Sequence, residues 1–196
     1  MNIRILLFPD FATLDVFGPV DILGRLDGAE LHYISIDGGV ITNRNRVRIE
    51  TEKSSESPAG GILLVPGGMG TRPLAENLEY LSFLKTLVPT AETCLAVCTG
   101  SALLAAAGLL KNRQATSNKK SWAWVTSIGG EVDWIPQARW VTDGNFYTSS
   151  GVSAGMDMAL GFVADRYGRE KACSIAEAIE YIWNEEKEKD PFAVTE

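Results

Sequence analysis

The sequence predicts an α/β fold built on a doubly wound, mostly parallel sheet with helices on both faces. Three observations lead there. Short, almost wholly apolar runs at residues 2–8, 31–36, 61–65 and 93–97 suit strands buried on both faces. Helical patterns stand between them, the alternation that builds parallel sheets. Finally, the run 93–97 stops at Cys98-Thr99-Gly100-Ser101, and a block of Ala and Leu follows. That is a strand, a tight turn and a buried helix, with the corner residue at the carboxyl edge where open α/β sheets bind ligands.

Taken in order, residues 2–8 form the first strand, broken by Pro9 and Asp10. Pro19 suits the first position of a helix, so Gly18 is expected as the cap, 20–26 as the helix, and Asp15 in the turn before it. Residues 31–36 form the second strand, and Asp37-Gly38-Gly39 turns. Residues 47–51 alternate in polarity and read as an exposed or edge strand, and 52–58 as a polar loop. The strand 61–65 runs into Pro66-Gly67-Gly68-Met69-Gly70, a turn whose backbone N–H groups can face a ligand. It lacks the lysine and spacing of a phosphate-binding loop.

An amphipathic helix is expected over 77–88 and a buried one over 102–110. Residues 115–118 read as a short extended stretch, and a helix opens at Trp122 and ends at Gly129-Gly130. The segments 138–141 and 146–149 flank Asp143-Gly144 as a hairpin. Residues 151–157 lead into a helix reaching about Tyr167, and 169–183 form another. The charged tail from 184 is expected to fray. The organisation is thus one domain over 1–185 with a charged tail over 186–196.

The chain has 196 residues, a net charge of −7 and three cysteines. The acidic balance argues against nucleic-acid and anionic-membrane partners. No apolar run spans a bilayer, and the first strand is too short for a signal peptide, so a cytoplasmic location is expected. An odd cysteine count without close metal-ligand spacing fits a reducing compartment and no metal. His32 is the single histidine and lies in a strand. A Cys–His dyad or Ser–His–Asp triad is therefore nearly excluded, and a multi-histidine metal site is impossible.

Cys98 at the elbow is the candidate nucleophile; Cys94 and Cys173 are expected to pack, and Trp122, Trp124 and Trp183 to serve the core or an interface. A thiol with a pKa of about 8.5 is only about 3% ionised at pH ~7, so an activated thiol should be drawn down to about 6. That shift needs about 3.4 kcal/mol. A helix N-terminus contributes only about 1–2 kcal/mol, so other donors are required.

Asp15, Val65-Pro66-Gly67-Gly68, Ala96-Val97-Cys98-Thr99-Gly100-Ser101, and Asp143-Gly144-Asn145 followed by Ser150-Gly151 through Met156-Asp157 occur in this order. Together they resemble the ThiJ/PfpI superfamily over about 1–185, which implies the flavodoxin-like core shared with class I glutamine amidotransferases. Asp15 with Cys98-Thr99 looks most like the isocyanide hydratase branch. That likeness implies Cys98 as nucleophile, Asp15 as its carboxyl partner, and Thr99 and the Gly67-Gly68 turn as holders of an anionic intermediate. It also implies no cofactor, a small-molecule substrate and a homodimer. Proteases of the superfamily carry a histidine after the elbow helix; this chain has Asn118 there, with a longer stretch before Trp122. Peptidase and amidase activity are therefore not expected.

The leading expectation is hydration of an isocyanide to an N-substituted formamide through a Cys98 thioimidate. Glyoxalase-type attack on a reactive carbonyl and a thiol-based stress sensor are the alternatives. Some relatives carry a helix-turn-helix domain; the acidic charge and the end at Glu196 argue against that use here.

Overall fold

The computed structural model describes residues 1–193. Among the described residues there are ten strands and seven α-helices. The strands are β1 (Asn2–Leu6), β2 (Glu30–Ser35), β3 (Gly39–Thr42), β4 (Arg48–Lys53), β5 (Ile62–Val65), β6 (Thr93–Val97), β7 (Gln114–Ala115), β8 (Asp133–Trp134), β9 (Trp140–Asp143) and β10 (Phe146–Ser149). The helices are α1 (Thr13–Leu23), α2 (Thr71–Leu74), α3 (Leu78–Leu87), α4 (Gly100–Ala106), α5 (Trp122–Thr126), α6 (Ala154–Tyr167) and α7 (Arg169–Ala178).

Eight strands form the main sheet in the order β3-β4-β2-β1-β5-β6-β10-β9. The neighbours from β4 to β10 are parallel, and β3 and β9 close the edges antiparallel. β7 and β8 make a separate short parallel pair. The central strands β1, β5 and β6 are buried on both faces, which explains their continuous apolar runs. The chain passes from β1 to β2 on one side and reaches β5 on the other. The crevice at the carboxyl ends of β1 and β5 is therefore a topological switch point, where such sheets hold ligands. The doubly wound, mostly parallel architecture is the one the alternation predicts.

Four local expectations are corrected. α1 begins at Thr13, not after Gly18, and Pro19 lies inside it. Gly18 is not a cap. A Cβ there would come within 2.7 Å of Met156 Cγ, so the glycine lets α1 cross α6 closely. The helix can start early because Ala12 N–H is held by Gly67 O at 2.8 Å, and Asn43 donates to Phe11 O and Thr13 Oγ1. This moves Asp15 from a turn into the first helical turn. Secondly, residues 47–51 form a largely exposed strand, one of the two readings, but do not lie at the edge, because β3 covers β4. β3 was hidden because its first residue, Gly39, reads as part of a glycine turn. Thirdly, α7 stops at Ala178; Glu180 turns back with φ of 51°, leaving Trp183 outside the helix.

Fourthly, the tail does not fray as far as Asp190. Arg139 N–H donates to Lys187 O at 2.7 Å and Asp190 N–H to Gln137 O at 2.7 Å. Buried Asp157 accepts from Asn184 N–H and Tyr181 Oη and is ion-paired with buried Arg139, which also faces buried Asp190. Of the tail's charges Asp190 is buried and faces Arg139, while Glu185–Lys189 stay exposed to solvent.

Candidate active site

Three loops meet at the carboxyl edge of β1, β5 and β6. Phe11 bridges antiparallel to Gly68, joining the first two loops. The approach requires glycines. A Cβ on Gly67 would lie 2.6 Å from Thr99 N and 2.9 Å from Asp15 Oδ2, and Gly68 has φ of 129° with Asp10 O in the space of its Cβ.

Cys98 sits at the corner between β6 and α4 with φ of 57°, a conformation uncommon outside glycine and a mark of functional corners. The surroundings enforce it. Its carbonyl accepts from Ser101 Oγ at 2.9 Å and Ser117 Oγ at 2.8 Å, and its N–H lies 3.2 Å from both Ser149 O and Ser150 O. The side chain is nearly buried, at 7% exposure. N–H groups of Thr99 and Val152 and the Thr99 hydroxyl face the sulfur and favour its ionised form.

Asp15 is fully buried. Its Oδ2 accepts from Gly67 N–H at 3.0 Å, and its Oδ1 has no hydrogen-bond partner. Burial raises its pKa to about 7, while the Gly67 N–H and the neighbouring Cys98 thiol draw it back. Burial, not repulsion by the sulfur, is the cause of the raised value.

The expectation of a thiol drawn down towards 6 is not met. Burial first, and the Asp15 carboxylate second, push the Cys98 thiol up to about 12 against the three donors. The cost of removing the sulfur from water outweighs what the helix terminus and the donors contribute. The pair therefore holds protons tightly, and the second contribution vanishes once Asp15 is neutral.

The other expected residues are also here, in altered roles. Gly68 N–H is not free for a ligand; it donates to Thr99 Oγ1 at 3.0 Å. Thr99 Oγ1 is shared with Thr71 Oγ1 at 3.0 Å, and Thr71 donates to Gly68 O. Asn118 accepts from Ser121 N–H and caps the short turn of Lys119–Ser121. His32 lies on β2, bonded to the Glu52 carboxylate, away from the three loops. Cys94 is buried in the core as expected, and burial pushes its thiol up to about 12. Thr71, Ser117, Asn43 and the Val152 N–H were not foreseen. Each acts through one hydroxyl, amide or backbone group, which no spacing pattern marks.

Two clefts flank Val152. One, of about 340 Å³, is bounded by Asp10 to Leu14, Gly68 and Met69; the other, of about 590 Å³, by Asn118 to Lys120, Ser150 to Ser153 and Phe192. Both are apolar enough to take a small organic substituent. Among the described residues no group of three or more His, Cys, Asp and Glu is arranged to hold a metal. No helix there is long and apolar enough to cross a membrane.

Comparison with known proteins agrees with this geometry. The DJ-1/PfpI family model matches residues 1–165. The isonitrile hydratase of Pseudomonas putida is 33% identical over 186 residues, covering 92% of this chain and 78% of that protein. The HTH-type transcriptional regulator GbdR of Pseudomonas aeruginosa is 30% identical over 92% of this chain, which spans only 50% of the regulator. A ThiJ/PfpI family protein from Pseudomonas syringae superposes with a TM-score of 0.79 at 30% identity, covering 93% of this chain and 76% of that one. With a strained cysteine at the strand–helix corner and a family match over most of its length, the chain belongs to the DJ-1/PfpI family.

Proposed function

We propose that this protein is a cofactor-free hydratase of isonitriles, with Cys98 as nucleophile and Asp15 as proton carrier. The observation that carries the reading is the pair itself. A thiol on a strained corner stands beside a buried carboxyl whose pKa is about 7 and whose Oδ1 is unpartnered. A group near neutrality both accepts and returns a proton efficiently. The single histidine is engaged elsewhere, so the chemistry runs on a carboxyl and a thiol.

In this reading the reactive form of the pair holds one proton. Ionised Asp15 takes the thiol proton as sulfur attacks the terminal isonitrile carbon, forming the C–S bond. Neutral Asp15 no longer repels the sulfur, and the Thr99 and Val152 N–H groups hold its charge. Asp15 then gives that proton to the same carbon, leaving a thioimidate. Water adds to this carbon, one water proton passes to nitrogen, and the C–S bond breaks. The other water proton returns to the pair, and an N-substituted formamide leaves. Gly67 and Gly68 position Asp15 and Thr99 through their N–H groups.

Incubation with cyclohexyl isonitrile and methylglyoxal, with formamide and lactate measured, tests the reading. We expect formamide from the parent protein and none from Cys98→Ala, with Cys94→Ala active. No formamide from the parent, or full activity in Cys98→Ala, contradicts it; lactate alone moves the protein to carbonyl chemistry.

A further inference from the structure

The opposite, amino-terminal end of the sheet holds an unbalanced charge. Arg4 lies in the middle of β1 and is 2% exposed. Its guanidinium donates to Thr90 Oγ1 at 2.8 Å and Gly60 O at 3.4 Å, and both acceptors are neutral. Its Nε has no partner, and it enters no ion pair among the described residues. The neighbours in register offer no countercharge. His32 beside it on β2 takes the Glu52 carboxylate for itself. Leu63 follows on β5, and next in the row is Cys94, whose thiol burial keeps protonated.

Buried cations in proteins are ordinarily paired, because removing a charge from water costs several kcal/mol. Arg4 also lines a cavity of about 340 Å³ with Ser54, Ser57, Phe83, Leu87 and Thr90. Ser57 Oγ is a second buried group without a partner. Phe83, Leu87 and Ala59 add apolar walls beside Ser55 and Thr86, so the cavity offers both polar and apolar surface.

We propose that this cavity binds a small organic oxyanion, its carboxylate or phosphate drawn to the Arg4 and Ser57 wall and its short aliphatic part against Phe83 and Leu87. Arginine suits either headgroup, since its planar fork matches both. The site is separate from the Cys98 edge. Its components are contributed by β1, the polar loop after β4 and the end of α3, none of which supplies a group to the thiol.

Titrating the protein with sodium phosphate and, separately, sodium hexanoate in a low-chloride buffer tests this. Heat of binding and the Arg4 Nε–H resonance are followed together. At least one probe should saturate with Kd at or below about 1 mM, shifting that resonance in parallel. Phosphate alone identifies a phosphate-bearing ligand, and hexanoate alone a carboxylate. Arg4→Met should weaken binding at least ~10-fold, and Ser57→Ala, which leaves the folded core intact, by about 3–10-fold. An unmoved Arg4 resonance with both probes, or equal binding by the parent and Ser57→Ala, would overturn the proposal.

Discussion

At the residue scale the site turns on how burial treats Asp15. A carboxyl raised from 3.8 to about 7 binds its proton more tightly folded than unfolded. Between those values the native state holds more protons, so stability falls as pH rises and stays low above 7. A shift of about 3 units corresponds to at most ~4 kcal/mol. Asp15→Asn keeps an acceptor for Gly67 N–H and removes the charge. We expect it to be about 2–4 kcal/mol more stable than the parent at pH ~8, with little difference at pH ~4, and inactive. Urea unfolding at both pH values measures this; equal stability throughout would mean that Asp15 is not held near neutrality by burial. Cys98 was legible as the residue at the strand–helix corner, because an apolar run ending at Cys-Thr-Gly has few other readings. Its proton affinity was not, since burial depends on loops distant in sequence.

At the element scale, strands and helices with strong patterns were legible and the pieces controlled by tertiary contacts were not. β6 appears with the limits expected, and α3 lies within the expected 77–88, capped by Asn77, which accepts from Tyr80 N–H. α1 was misplaced because Pro19 suggests a start, whereas the tie of Ala12 to Gly67 fixes one six residues earlier. The loop after α4 shows what a family likeness leaves open. Asn118 stands where some relatives have histidine, and here it caps a 3-10 turn while its amide crowds Gly151. Asn118→His should therefore lose a cap worth about 1 kcal/mol and gain no peptidase activity, since no element orients the new ring as a base towards Cys98. Thermal unfolding and a casein assay check both parts. Casein hydrolysis by the variant would show that only the missing imidazole separates this site from a protease.

At the scale of the whole molecule, the sheet order brings Asp15, Gly67 and Cys98 together although they are far apart in sequence. The alternation of elements announces such a crevice, and the carboxyl edge was predicted from it. The closing of the tail onto the core was not, because Arg139, Asp157 and Asp190 become partners only once the strands are ordered. The same long-range assembly sets the electrostatics of the pair, so the central claim is that Asp15 and Cys98 work as one unit sharing one proton. The most direct measurement is kcat/KM for isonitrile hydration against pH, in the parent and in Asp15→Glu, which retains a carboxyl. As pH rises through about 7, Asp15 loses its proton and the one-proton form of the pair fills. The parent rate should rise about tenfold per unit below that value and level above it. The limb should move in Asp15→Glu as the carboxyl environment changes. A rate independent of pH across about two units on either side, or a limb unchanged by Asp15→Glu, would contradict the account.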